Sequence, residues 1–276
     1  METWTQGDRR YTAYDLSTRL TNKSSSFETN PHTIEYITHT ETIQESQRLF
    51  GIGPQAWRNG HGWAIEHVTL TTHSGTHLDA PYHYGATSGG KPAKTIDQIP
   101  LRWCMGNGVV LDVRHIDRRE GADAADLQAE LERIGYTLKP FDIVLIRTDA
   151  SEHFLEPGYQ YMHTGLRVSA TKWLCDQGVR MIGIDAWTLD RAFDVMVEEA
   201  KEGDEQQLWE SHYYGMTQEY CQIEKLSGIA DLPSPHGFQV MCFPVKIEGA
   251  SGGWARVVGI YEERISDEQT VPVASA

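Results

Sequence analysis

Residues 73–83 read His-Ser-Gly-Thr-His-Leu-Asp-Ala-Pro-Tyr-His, which places three histidines and one carboxylate within eleven residues. The preceding run, Trp63 to Thr72, alternates in character and predicts a strand that leads into this stretch. His73 and His77 are four residues apart, so one helical turn or a tight loop can aim both rings at one point. Gly75 allows the backbone to bend closely between them.

These residue types point to a metal site. Imidazole nitrogens and carboxylate oxygens are ligands that suit zinc, manganese or iron(II). A chain with 12 histidines brings some together by chance, and a single histidine is more often a satisfied surface or core group. Burying His73, His77, Asp79 and His83 together would nevertheless be costly without a metal ion or a proton network. Three ligands and a spare histidine are typical of an open site rather than a closed structural one.

The composition is that of a globular protein and excludes some partners. The chain has 276 residues, 39% of them hydrophobic and 23% charged, and a formal charge of -15. This acidity disfavours a nucleic-acid groove or an anionic membrane surface as partner. The four scattered cysteines form no CxxC pair, which predicts reduced, buried thiols. The polar N-terminus lacks an apolar signal segment and no run reaches membrane-spanning length, so we expect a cytoplasmic protein.

Hydrophobic patterning in the rest of the chain predicts an α/β fold with a mixed sheet, because buried strands alternate with amphipathic helices. We expect one domain over residues 1–276, with an extended N-terminal loop arm over 1–62, an acidic helical insertion over 189–211 and a flexible tail over 266–276. A long loop in a compact domain is usually functional or packs on a partner subunit. The predicted strands are 106–113, 141–148, 179–184, 238–247 and 254–261, the last two joined by a hairpin loop at 249–253, and the predicted helices are 124–134 and 169–177.

Residues 73–83 match the HxGTHxDxPxH signature of the so-called cyclase family of metal-dependent hydrolases, which includes kynurenine formamidases and isatin hydrolases. The segments 142–148, 183–185 and 253–256 also resemble that family. The resemblance implies a swivelling β/α/β-type fold, in which a mixed, barrel-like β-sheet carries outer helices. It further implies a homodimer or homotetramer and one or two divalent ions per subunit, Mn²⁺ or Zn²⁺ most often.

The resemblance also implies the site residues. His73, His77 and Asp79 would be metal ligands, and His212 and Glu224 would complete the set. By composition alone, His212 would be a surface histidine and Glu224 an exposed helix carboxylate. His83 lies where the formamidases carry an acid/base histidine. The long arm and the acidic insertion depart from the compact formamidases, and since loops shape pockets they leave the substrate open.

The reaction that fits these residues is hydrolysis of the C–N bond of a small cyclic or aryl amide, such as isatin or N-formylkynurenine. A divalent ion makes hydroxide available near neutral pH, and His83 would carry the proton that the leaving nitrogen needs. Trp57, Trp63 and Trp187 would suit a flat substrate ring, although each fits a place in the core equally well. The alternatives are a metal-dependent cyclase, dehydratase or lactonase acting on a small carbonyl compound, and a metal-binding or ligand-sensing protein without activity.

Overall fold

The computed structural model describes residues 1–28 and 30–265. Its largest element is a ten-stranded mixed β-sheet. In strand numbers along the chain, the sheet order is β1-β2-β14-β12-β8-β9-β10-β11-β5-β13. The bounds of the fourteen strands are β1 Glu2–Gln6, β2 Arg9–Asp15, β3 Thr33–Ile37, β4 Ile65–Thr69, β5 His77–Asp79, β6 Thr87–Ser88, β7 Lys91–Pro92, β8 Met105–Asp112, β9 Ile143–Arg147, β10 Met181–Ile184, β11 Cys221–Glu224, β12 Phe238–Met241, β13 Gly252–Trp254 and β14 Val258–Arg264.

Within the described part of the chain, six α-helices accompany the sheet. Helices α3 and α4 begin and end within one residue of the predicted ranges. The predicted fold class, a mixed α/β sheet with outer helices, is confirmed. The helix bounds are α1 His39–Phe50, α2 Pro81–Tyr84, α3 Ala124–Ile134, α4 Val168–Asp176, α5 Phe193–Lys201 and α6 Glu210–Tyr214.

The central strands β8, β9, β10 and β11 run parallel and are buried on both faces. Val109 and Val144 point into the hydrophobic core on the side of the sheet where α3 and α4 pack. Val110 and Leu145, one residue further along each strand, point into a second core on the opposite side. Such strands are apolar without interruption because neither face meets water.

The N-terminal arm is more regular than the sequence predicts. Residues 2–15 form the β1–β2 hairpin, whose second strand pairs with β14. Within the range expected to be a loop, α1 spans twelve residues and β3 pairs with β4 in a separate two-stranded sheet. A capping box of Thr38 and Glu41 begins α1, and this pairing satisfies two backbone donors at a helix start.

The prediction of a hairpin loop between the last two strands is wrong. Residues 249–253 do not form a simple hairpin between the last two strands, because they lead into β13, which pairs with β5; β12 and β14 pair with each other directly. The range predicted as an acidic helical insertion, 189–211, contains α5 and the first two residues of α6. The predicted flexible tail, 266–276, lies outside the described residues.

The four cysteines are buried and free, in agreement with the sequence. Among the described residues, no helix combines the length and apolar character required to cross a bilayer.

Candidate metal centre and its pocket

The short strand β5 holds the motif in the interior of the sheet. It pairs antiparallel with β11 on one side and β13 on the other. The turn before it depends on Gly75, whose φ of 62° is in the left-handed region that favours glycine. After it, Pro81 begins α2, and the single turn of α2 carries His83.

Asp79 lies at the centre of the candidate site. Its Oδ1 atom is 2.7 Å from His73 Nδ1 and 3.2 Å from His77 Nε2, and its Oδ2 atom is 3.6 Å from His212 Nε2. Glu224 closes the other side, with one carboxylate oxygen 3.7 Å from His77 Nε2 and the other 3.7 Å from His212 Nε2. The structure therefore brings together all five side chains that the sequence proposes as ligands.

Strand register explains why Glu224 arrives here. Residues Glu224 and His77 face each other across the β11–β5 pair, so their placement follows from the backbone pairing. His212 comes instead from α6, a helix that starts after Trp209 in a left-handed conformation with φ of 56°. Neither residue is exposed: His212 and Glu224 are both buried, contrary to what composition alone suggests.

Two of the histidines are oriented by hydrogen bonds from the nitrogen that faces away from the centre. His77 Nδ1 donates to the Gly75 carbonyl at 2.8 Å, and His212 Nδ1 donates to Asp190 at 2.5 Å. Since the first acceptor is a carbonyl, the hydrogen is on Nδ1 and the Nε2 lone pair of His77 points at the carboxylates. This arrangement is typical of metal-ligating histidines, whose second nitrogen is fixed by an acceptor.

The donor set fits a divalent cation. His77 Nε2 and Asp79 Oδ2 are both buried without a hydrogen-bond partner in the protein. A lone pair that faces a carboxylate is repelled unless a positive charge lies between them, and buried polar atoms without partners are costly. One nitrogen and two carboxylate oxygens from His77, Asp79 and Glu224 lie close enough together to share one ion. His73 differs from them, because its two ring nitrogens already contact Asp79 and Ser251.

The charges of the site also favour a cation. Burial alone would raise the pKa of Asp79, but His83, His73 and His77 hold it well below its usual range. Burial and the Asp79 charge raise the pKa of Glu224. Burial would lower the pKa of His212, yet its bonds to Asp190 and Asp79 raise it to about 10. The raised pKa values of Glu224 and His212 thus show that this buried group of carboxylates attracts positive charge.

His83 lies beside this cluster. Its ring centroid is 4.1 Å from that of His73 and 5.6 Å from that of His212. Burial, with help from the neighbouring histidines, lowers the pKa of His83 to about 4 although Asp79 acts against it. The ring is therefore neutral near pH 7 and able to accept a proton. Together with His73 and Asp79 it also forms a second group of possible ligands.

A cavity of about 320 Å³ opens onto the cluster. Its aromatic wall consists of Trp187, Phe193 and Trp209, and the Trp209 indole stacks on the His212 ring with centroids 4.2 Å apart. Thr188 also lines the cavity, and its hydroxyl is buried without a partner in the protein. An apolar cavity with a few convergent polar groups is the usual form of a small-molecule site.

Of the three tryptophans proposed to contact substrate, only Trp187 lines this cavity. Trp57 lies in the arm and Trp63 directly after it, and their rings pack against each other with centroids 5.4 Å apart and against Phe50. They take this position because α1 and the turns that follow it form a small aromatic cluster of their own. Trp209 and Phe193, which sequence reasoning did not single out, come from the acidic insertion and replace them in the cavity wall.

Several functional residues had no local signal in the sequence. Asp190, which orients His212, follows an ordinary apolar stretch, and Thr188 is one hydroxyl among many. Glu28 and Lys225 line the same cavity but are 197 residues apart. Only the folded chain brings these groups to the site.

Known proteins resemble this chain in sequence and in fold. Residues 14–191 match the family described as putative cyclase. A kynurenine formamidase of Erythrobacter litoralis is 25% identical over 206 residues, which cover 74% of this chain and 81% of that protein. A kynurenine formamidase of Bacillus thuringiensis is 28% identical over 123 residues, covering 45% of this chain and 51% of that protein, so the match spans about half of that relative. An isatin hydrolase bound to the product analogue thioisatinate superposes with a TM-score of 0.70 at 19% identity, covering 92% of this chain and 93% of the other.

Proposed function

Since the chain belongs to the putative cyclase family, we propose that it is a metal-dependent amidohydrolase that cleaves the C–N bond of a small cyclic or aryl amide. The observation that carries the proposal is the convergence of ligand-type side chains on the buried Asp79, with the neutral His83 beside them. Relatives that act as kynurenine formamidases support an amide as substrate.

His73, His77, Asp79, His212 and Glu224 would hold the ion, Mn²⁺ or Zn²⁺. When bound, such an ion supplies a Lewis acid and lowers the pKa of water to near 7. His73 would join the set by exchanging its bond to Asp79 for the ion, whereas His77 and His212 already present Nε2.

The chain's own residues supply the proton transfer. An unprotonated ring nitrogen of His83 takes the proton from the attacking water, because its lowered pKa keeps it neutral. The same ring then delivers that proton to the leaving nitrogen, since an amide anion is too basic to depart. General acid/base help of this kind is worth about 100-fold or more in rate.

The cavity wall suits a flat substrate. Trp187, Phe193 and Trp209 offer apolar surface for an aromatic ring. The Thr188 hydroxyl, which has no partner in the protein, is available to bind a carbonyl oxygen or an N–H group of the substrate. A polar group held in this way fixes the orientation of an otherwise apolar ligand.

We further propose that the protein acts as a homo-oligomer. Apolar side chains on the arm and on strand β4 are exposed: Tyr36 at 60%, Phe50 at 60% and Val68 at 46%. A two-stranded sheet such as β3–β4 is marginally stable by itself, and a second copy would cover it. Light scattering should give twice the chain mass or more, and a monomer would contradict this proposal.

The function is tested by assaying protein reconstituted with Mn²⁺ or Zn²⁺ on N-formylkynurenine and isatin in ¹⁸O-labelled water. Hydrolysis places one solvent oxygen in the acid product, whereas a cyclase or dehydratase releases a water molecule and takes up no solvent oxygen. We expect turnover that depends on the metal and is lost in a His77→Ala variant. Absence of turnover on small amides and lactams with either ion, or a product without label, would refute the proposal.

A further inference from the structure

Lys225 is a buried charge directly beside the candidate ligand Glu224. It is 3% exposed, and its φ of 58° is in the left-handed region that residues other than glycine seldom adopt. Such a conformation costs of order 1 kcal/mol or more and persists only where its surroundings impose it. The proposed reaction assigns no role to this side chain, although it lines the cavity.

The side chain of Lys225 reaches back to the turn that carries the motif. Its Nζ atom donates to the His73 carbonyl at 3.0 Å and to a carboxylate oxygen of Glu28 at 2.5 Å. The other carboxylate oxygen of Glu28 accepts the Gly75 N–H at 3.0 Å. The buried ion pair of Lys225 and Glu28 therefore hydrogen-bonds to the turn at both His73 and Gly75.

The backbone of Lys225 is fixed to the same turn. Its carbonyl accepts a hydrogen bond from the Thr76 hydroxyl at 2.6 Å, and its N–H donates to the Ala186 carbonyl at 2.9 Å. The same hydroxyl accepts the N–H of Thr18 at 2.8 Å. The left-handed conformation thus turns the ammonium group toward residues 73–75 while the carbonyl stays bonded to residue 76.

These contacts act on atoms that orient the candidate ligands. The Gly75 carbonyl accepts the His77 Nδ1 hydrogen, so the position of residue 75 determines where His77 Nε2 points. Glu28 holds the N–H of that same residue. Displacement of the turn would therefore rotate the His77 ring away from Asp79.

We propose that Glu28 and Lys225 are positioning residues that clamp the 73–77 turn and so pre-organise the metal centre. The N-terminal segment thereby becomes part of the site, although it contributes no ligand. This inference rests on the proposed function only in requiring that the centre binds a divalent ion.

The clamp is tested by Zn²⁺ affinity, measured by competition with a chromophoric chelator, and by the melting temperature of the metal-free protein. Glu28→Gln keeps an acceptor for Gly75 but removes the charge, and Lys225→Met removes the ammonium group. Loss of an outer partner typically weakens metal affinity about 10- to 100-fold, and we expect this of both variants. Each leaves a buried charge without its partner, so each should also lower the melting temperature.

Glu130→Gln is the matched control. Glu130 is also a buried carboxylate, which accepts the Asp112 N–H at 3.1 Å and pairs with Arg133 at 2.6 Å on α3, away from the site. This variant should lose thermal stability and keep the Zn²⁺ affinity of the wild type.

The double variant Glu28→Gln/Lys225→Met separates positioning from simple stability. It removes both charges, so much of the melting temperature should return while the Zn²⁺ affinity stays low.

Two results would overturn the proposed clamp. One is an unchanged Zn²⁺ affinity in Glu28→Gln. The other is a double variant in which the Zn²⁺ affinity returns to the wild-type value along with the melting temperature. Failure of the wild type itself to bind Zn²⁺ or Mn²⁺ would instead overturn the proposed function, and this inference with it.

Discussion

Acid should destabilise the wall of the metal centre through His163. This residue is buried, and its Nε2 donates to the Asp190 carbonyl at 3.2 Å, while the Asp190 carboxylate orients His212. Burial lowers the pKa of His163 from 6.5 to about 4. A depressed pKa means that the unfolded chain binds a proton before the folded one does. The stabilising contribution is therefore complete above about pH 6.5 and is lost as the pH falls toward about 4.

The magnitude follows from the size of the shift. The fall of the His163 pKa from 6.5 to about 4 corresponds to about 3 kcal/mol at full protonation, and about 2 kcal/mol of this should be lost between about pH 7 and pH 5. Urea denaturation at both pH values, with EDTA present so that metal release does not contribute, measures the free energy of unfolding.

Two substitutions distinguish titration from packing. His163→Gln and His163→Leu both remove the ionisable ring, so each should lose about 2 kcal/mol less than the wild type over this pH interval, whatever its stability near pH 7. If both variants keep the pH dependence of the wild type, His163 does not titrate in this way and the reasoning is refuted.

Asp79→Ala should lose bound metal and activity together, as elemental analysis after dialysis will show; a full complement of metal would contradict its central place. His83→Asn should retain one ion while turnover falls about 100-fold or more, and two ions per chain in the wild type would make His83 a ligand instead. Asp190→Asn should weaken Zn²⁺ binding about 10- to 100-fold through the His212 ring; chelator competition that shows no change would exclude that role. Thr188→Val should raise KM about 10-fold with unchanged metal content, because a lost hydrogen bond is worth about 1 kcal/mol or slightly more.

The central α/β unit was predictable because its patterns are strong. Strand β9 has an uninterrupted apolar run. Helix α3 has clear helical spacing and is followed by Gly135, which is in a left-handed conformation. Helix α1 was missed because its sequence has no apolar stripe: its buried residues are Thr42 and Ser46. The Thr38–Glu41 capping box and Gly51, which ends the helix in a left-handed conformation, were the signals that could have revealed it.

The candidate site also contains some residues that the local sequence predicts and others that it does not. The motif from His73 to His83 is local, so residue types and spacing were enough to propose it, and the resemblance to a family supplied His212 and Glu224. Glu28, Thr188, Asp190 and Trp209 reach the site through contacts between distant segments. Periodicity carries no information about such contacts, and Trp57 and Trp63 were named in place of Trp209 because aromatic character alone does not say which cavity a ring will face.

The strand pairing that brings His77 opposite Glu224 does not involve the aromatic residues of the cavity wall. His77 and Glu224, two of the candidate ligands, are placed by the alignment of hydrogen-bonded strands in the sheet interior, and a slip of one residue would turn Glu224 to the opposite face. Trp187, Phe193 and Trp209 arrive on segments outside the strands. Substitution of these three side chains, with the backbone kept, therefore offers a way to change the choice of substrate without disturbing the strand pairing of His77 and Glu224.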